Sequence, residues 1–164
     1  MRESLARPAR VHRMEQPAAK LLHEKLTKSV IGAFFEVYNA LGFGFLEHVC
    51  VAALECELRS RGHTVAREVG VRVMYKGEVI AVQRLDLVVD DVLVVEVKSS
   101  YDLHPAAKRQ LYNYLRATCM EVGLLLHFGP EPKFYRQVFT NNRKPQPRPN
   151  QPPIGGSVSR SQGP

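Results

Sequence analysis

Helical and strand periodicities succeed one another along residues 21–140 in an order that predicts an α/β fold, a mixed sheet with antiparallel hairpins flanked by helices. Three observations carry that prediction. Apolar residues recur at helical spacing in two early stretches, the middle of the chain turns to alternating and β-branched runs broken by acidic or glycine turns, and a third helical stretch is followed by "VGLLLHF", an apolar run of strand length. With 164 residues, 45% of them hydrophobic, the chain has the material for one well-buried core.

The elements follow in order. Leu26, Val30, Ile31, Phe34, Val37, Tyr38 and Leu41 mark a first helix, stopped at Gly42. After the glycine turn, Leu46, Val49, Cys50, Ala53, Leu54 and Leu58 form the stripe of a second helix ending at Gly62. Glu47 lies on the margin of that stripe, in register with Val51, Leu54 and Leu58, where a carboxylate needs a partner or a task; a favourable charge at a helix N-terminus is the plainer account. Strands are expected near Val69–Tyr75, Val79–Val89 and Val92–Lys98, joined by turns at Lys76-Gly77-Glu78 and Asp90-Asp91. A third helix from about Pro105 to Ala117, the strand "VGLLLHF" and an edge strand "FYRQVF" complete the domain.

The ends differ from this core. Residues 141–164 hold six of the eleven prolines and almost no apolar side chains, which predicts a disordered basic tail, and residues 1–20 read as a basic, flexible segment. The net charge of +7 resides there: residues 1–20 carry five Lys/Arg against two acids, 140–164 four against none, and 21–139 fourteen against fourteen. Such ends can hold phosphate electrostatically or simply keep the chain soluble. No apolar run is long enough to span a bilayer and no secretory signal is visible, so a cytoplasmic protein without membrane contact is expected. Cys50, Cys56 and Cys119 are odd in number and lack zinc-site spacing, so they read as small core residues in a reducing compartment.

Chemistry concentrates in "RLDLVVDDVLVVEVKSS", where Asp86, Glu96 and Lys98 interrupt two apolar strands. A charge inside a buried strand costs several kcal/mol, on the order of an ion desolvation penalty, unless it is paired or bound to a metal. Strand alternation sets Glu96 and Lys98 on one surface, with Val95 and Val97 toward the core. Asp86 joins them only if the hairpin loop is odd: a loop of Asp90-Asp91 pairs Asp86 with Val95, whereas a loop of Asp90 to Val92 pairs it with Glu96. Two carboxylates beside an ammonium suit a hard divalent cation such as Mg²⁺, which acidifies an attacking water and neutralises charge on a phosphate. Gln110 and Tyr114, four residues apart on the third helix, face one cleft. An ordinary ion-pair cluster at a sheet end, with Gln110 and Tyr114 as surface residues, is the structural alternative.

The order of these features, Glu47 on a helix, Asp86 on a strand, "EVK" on the next and "QLYNY" on a helix, resembles the PD-(D/E)XK nuclease superfamily, and within it the GxxExxY protein family. The resemblance runs from about Glu24 to Phe139, through "LGFGFLEHVCVAALECELRSRGH", "VMYKGEVI", "RLDLVVDDVLVVEVKS" and "QLYNYLRA" followed by "VGLLLHFG". It implies a restriction-endonuclease-like core. It also implies Glu47, Asp86 and Glu96 as acidic metal-site residues, joined by the Val97 carbonyl, with Lys98 as the catalytic lysine and Gln110 and Tyr114 as an auxiliary motif. Two positions depart from the family: Cys50 stands where a tyrosine belongs, and His127-Phe128 where Asn-Phe is expected. The expectation is therefore a Mg²⁺- or Mn²⁺-dependent nuclease acting on DNA, or on RNA. The alternatives are a catalytically silent module of the same fold that binds nucleic acid or a protein, and a purely structural partner.

Overall fold

The computed structural model describes residues 22–144. The proposed flexible segment 1–20 and the tail from residue 145 lie outside the described residues. The chain runs α1 (Glu24–Leu41), α2 (Glu47–Ser60), β1 (Val65–Tyr75), β2 (Glu78–Val89), β3 (Leu93–Lys98), α3 (Ala106–Ala117), β4 (Val122–Phe128) and β5 (Pro132–Val138), then a 3-10 turn at Asn141–Arg143. The five strands form one sheet in the order β1-β2-β3-β4-β5. β3 and β4 are parallel, connected across the sheet by α3, and the other neighbours are antiparallel. This is the mixed sheet flanked by helices that the periodicities predict.

Two apolar layers enclose the sheet. On one face α1 contributes Val30, Ala33, Phe34 and Val37, and α2 contributes Cys50, Val51, Leu54 and Leu58; they pack on Leu87, Val89, Val95, Val97, Leu124, Leu126 and Phe128. On the other face α3 sets Ala107, Leu111, Tyr114 and Leu115 against Leu85, Val88, Val94 and Leu125. α3 lies very close to the sheet: a Cβ built on Gly123 of β4 would stand 2.7 Å from Leu111 Cδ1, so the absence of a side chain there sets the height of the helix. Both faces of the sheet are covered, so the face that Glu96 and Lys98 share is closed to solvent at Glu96. Glu96 is only 1% exposed, because α3 roofs its face of β3. Only Cys50 of the three thiols is a core residue; Cys56 and Cys119 are exposed, and none is in a disulfide.

The hairpin question resolves at the β2–β3 turn. Leu87, Val88 and Val89 pair with Val95, Val94 and Leu93, which leaves a three-residue loop from Asp90 to Val92 and aligns Asp86 with Glu96. Asp90 and Asp91 both take left-handed backbone angles, φ 50° and 58°. Side-chain bonds hold that unfavourable conformation. Asp90 Oδ2 lies 2.7 Å from His63 Nδ1, its Oδ1 accepts from the Thr64 N–H (2.8 Å) and hydroxyl (3.1 Å), and His63 Nε2 meets Ser29 Oγ at 2.7 Å.

β1 and β2 form a longer ribbon than expected, since β1 begins at Val65 rather than near Val69. The four added residues include Arg67 and Glu68, exposed residues whose polarity hides the strand period. The ribbon turns over at its middle. Leu85 joins the α3 layer while Leu87, two residues on, joins the α1/α2 layer, and between them Asp86 lies across from Glu68, which takes φ 50°. Regular pleating would send both leucines to one face.

Candidate active site

The reversal at Asp86 opens the sheet where the charges converge. The β2–β3 ladder ends at Leu87 and Val95, and beyond it Asp86 Oδ2 accepts the Val97 N–H at 2.7 Å. A side-chain carboxylate thus takes the place of a backbone acceptor and keeps Asp86 beside the Glu96–Lys98 segment. Lys98 Nζ donates to Glu96 Oε1 at 2.7 Å and lies 3.6 Å from Glu47 Oε1, so α2 delivers Glu47 to the other side of the same ammonium. Asp86, Glu96, Lys98 and Glu47 therefore come from three elements to one place, as their order along the chain suggests.

The electrostatics are crowded. Burial, and then the charge of Asp86, push the Glu96 carboxyl up to about 7, against the pull of Lys98. Burial likewise raises Asp86, although the Val97 N–H and Lys98 work the other way. Burial pulls the Lys98 ammonium down, but its bond to Glu96 and the surrounding carboxylates outweigh that and hold it above the ordinary lysine value. Three carboxylates share one ammonium, and Glu96 Oε2 is buried without any hydrogen-bond partner. A buried carboxyl oxygen left without a hydrogen bond costs its desolvation, and carboxyls perturbed in this way cluster at functional sites.

Among the described residues no three His, Cys, Asp or Glu side chains stand together as a ready-made metal cage. The donors still fit a hard cation: they are carboxylate oxygens, one of them buried and unpartnered, in a site with excess negative charge. Among the described residues, Lys98 supplies the only cationic contact to Glu96.

α3 brings its pair close by a relay. Gln110 Nε2 donates to the Tyr114 hydroxyl, which donates at 3.1 Å to the carbonyl of Arg84, two residues before Asp86. Tyr114 is buried, and its phenol is raised first by burial and then by the charges of Glu96 and Asp86, which places it within their field. Gln110 is linked through Tyr114 to the backbone of the strand that carries Asp86.

Several contacts around the site escaped the sequence reading. Ser99 donates its hydroxyl to the Phe45 carbonyl, and Phe43 packs edge-on against Tyr101 with ring centroids 6.2 Å apart, so the loop before Glu47 is fastened to the segment after Lys98. Cys50, in the position of the expected tyrosine, sets its thiol against Ser99. His127 pairs with Lys98 across β3 and β4, and its Nε2 lies 2.8 Å from the Ser100 carbonyl, which fixes the chain just past the lysine. The signal available was "GFGFL": apolar rings in a helix–helix loop, where turn-forming polar residues are the norm.

Comparison with known proteins supplies independent information. No curated protein matches the chain. Among solved structures, one described as the crystal structure of SSO0001 is 21% identical, with a TM-score of 0.47, over 74% of this chain and 62% of its own; this chain thus spans less than two thirds of that protein's length. A family model described as the PD-(D/E)XK nuclease superfamily matches residues 24–138, from the start of α1 to the end of β5. A match over that span, with an acid–lysine cluster at the opening of a mixed five-stranded sheet, shows that the chain belongs to the PD-(D/E)XK nuclease superfamily.

Proposed function

We propose that this chain is a Mg²⁺- or Mn²⁺-dependent nuclease that hydrolyses phosphodiester bonds, in DNA or alternatively in RNA, and that it acts in the cytoplasm. Within the superfamily we assign it to the GxxExxY proteins, on Gly44 and Glu47, with Cys50 replacing the tyrosine. The observation that carries the reading is the bare, buried Glu96 oxygen beside Asp86, which a divalent cation would satisfy. Asp86 and Glu96, with the Val97 carbonyl and assistance from Glu47, would hold the cation. When bound, it supplies acidification of a water and neutralisation of charge on the phosphate.

The chain's own residues provide the rest. Lys98 keeps its proton at neutral pH and presents that charge where negative charge develops on the phosphate and where the attacking water must be oriented. A cation held by Glu96 would take over that carboxylate from the ammonium and leave the Lys98 charge available to substrate. Tyr114, held by Gln110, fixes the backbone at Arg84 and so the approach of Asp86. The nucleic acid is held partly by the basic ends, since residues 21–139 are formally neutral.

The test is a panel of plasmid and oligonucleotide substrates with Mg²⁺, Mn²⁺ or EDTA. Asp86→Asn and Glu96→Gln abolish cleavage by weakening cation binding. Lys98→Ala retains cation binding and slows the chemical step by roughly a few hundredfold, about 3–4 kcal/mol of lost transition-state stabilisation. Equal residual cleavage by the wild type and all three variants under every metal would assign that activity to a contaminant and leave a binding module as the function.

A further inference from the structure

The site described above has an apolar rim. Phe43, Phe45, Leu46 and Tyr101 are 43%, 45%, 68% and 72% exposed, although large apolar side chains usually find cover in a domain of this size. They come from two segments, the loop between α1 and α2 and the stretch after β3, which are held together where Phe43 packs on Tyr101 and Ser99 binds the Phe45 carbonyl. Gly42 and Gly44 take φ 73° and 111°, backbone values that glycine accepts freely, in a loop whose Phe45 carbonyl is bonded to Ser99 just after β3. Leu46 directly precedes Glu47, and Tyr101 lies three residues after Lys98.

An exposed cluster of rings this close to a charged centre has a use that scattered surface residues lack. We infer that Phe43 and Tyr101, flanked by Phe45 and Leu46, form a stacking platform for unpaired nucleobases next to the scissile phosphate, and that the substrate class is single-stranded nucleic acid or a frayed, single-stranded end. The inference rests on the proposed phosphodiester chemistry at Lys98 and its carboxylates, and it names the substrate of that site. Three features favour bases over another occupant. Leu46 adjoins Glu47 and Ser99 adjoins Lys98 along the chain, and the Ser99 bond to the Phe45 carbonyl ties the two flanks together, so a strand threading past Lys98 brings its neighbouring bases onto the rings. The core between the two ends is formally neutral, which leaves little to grip the doubled phosphate charge of a duplex, whereas stacking needs no net charge. The carboxylates themselves are recessed, with Glu96 roofed by α3, and a flexible single strand enters a recess more easily than a stiff duplex.

The test measures binding in EDTA, where no cleavage intervenes, using the full chain and oligonucleotides carrying the fluorescent base 2-aminopurine, either single-stranded or in blunt duplexes. Stacking on the rings quenches the probe in single strands. Phe43→Leu with Tyr101→Leu keeps the patch apolar but removes its flat faces, and it is expected to weaken single-strand binding by roughly tenfold or more while leaving blunt-duplex binding and the thermal midpoint unchanged. Tyr101→Phe retains wild-type binding. The inference is overturned if the folded double variant binds single strands as tightly as wild type, or if single-strand and duplex binding fall together. It is also overturned if the wild type is a dimer that the double variant dissolves, because the patch is then a self-interface. Cleavage is scored separately: a wild type that stacks bases but never cuts refutes the nuclease reading alone, and one that cuts with no dependence on the rings refutes the platform alone.

Discussion

The two ends of the β2–β3 hairpin carry the same kind of residue and treat it in opposite ways. At the turn, Asp90 has both carboxylate oxygens occupied, by His63 and by Thr64, and although burial pushes it up, the bonds from His63 and Thr64 hold it below the usual aspartate range. At the open end, Asp86 and Glu96 are raised, share a single ammonium with Glu47, and leave Glu96 Oε2 bare. A satisfied carboxylate contributes to folding, and an unsatisfied one costs stability that only a ligand restores. Ser29, His63 and Asp90 even follow the order of a nucleophile–base–acid relay, but Ser29 lies inside α1, where the backbone N–H groups are bonded to the helix and none is free to stabilise an oxyanion. Satisfaction, rather than residue type, separates the structural cluster from the chemical one.

The most direct way to break the comparison is to exchange the consequences of mutation. Asp90→Ala should lose about 1–3 kcal/mol of stability, read from the urea midpoint at constant slope, while cleavage per folded molecule stays within a few-fold of wild type. If Asp90→Ala instead removes activity at unchanged stability, the turn is part of the site. Glu96→Gln should do the reverse, losing cleavage while its stability in EDTA at neutral pH is unchanged or higher by about 1 kcal/mol, since it relieves a desolvated charge and leaves Lys98 with Glu47 and Asp86. A clear loss of stability in that variant would mean that Glu96 serves the fold.

Acidity sharpens the contrast further, because the two ends act with opposite sign. Between the ordinary 4.5 of a glutamate and about 7, the folded chain keeps the Glu96 proton that the unfolded chain has released, so stability falls as pH rises through that window. Asp90 is depressed, so its contribution is present above the ordinary aspartate range and is lost as pH falls through its folded value. Urea midpoints taken across pH in EDTA should show both limbs: Glu96→Gln removes the upper one and Asp90→Asn removes the lower one, and replacing EDTA by saturating Mg²⁺ flattens the upper limb in the chains that keep Glu96. An upper limb that persists in Glu96→Gln would assign that proton to another group.

The order of elements was legible because α1 carries strong helical periodicity, β2 is rich in β-branched residues and "VGLLLHF" is an apolar run of strand length, and the acid–lysine set was legible because charges inside apolar strands are costly wherever they occur. Whether Asp86 meets Glu96 was not legible, since both loop lengths suit "VVDDVLV" and the choice is made by His63 and Thr64, far away along the chain. The burial of Glu96 was hidden for a similar reason: its cover is α3, and strand alternation says which face a side chain takes but not what lies above it. The rim of Phe43, Phe45 and Tyr101 escaped because apolar residues in a loop give no period to count, and the reversal at Glu68 and Asp86 because it changes the phase of the pattern within one strand.

Gly123 carries no chemistry at all, yet the packing of Leu111 onto its bare Cα governs how far Tyr114, one turn along α3, reaches toward Arg84 and the carboxylates. A methyl group there would act as a shim under the helix, lifting the Gln110–Tyr114 pair away from a centre it never touches. The set of positions where a single change alters this site's function therefore extends to the spacers of the fold, and a substitution map drawn from functional groups alone would leave out the residue that has none.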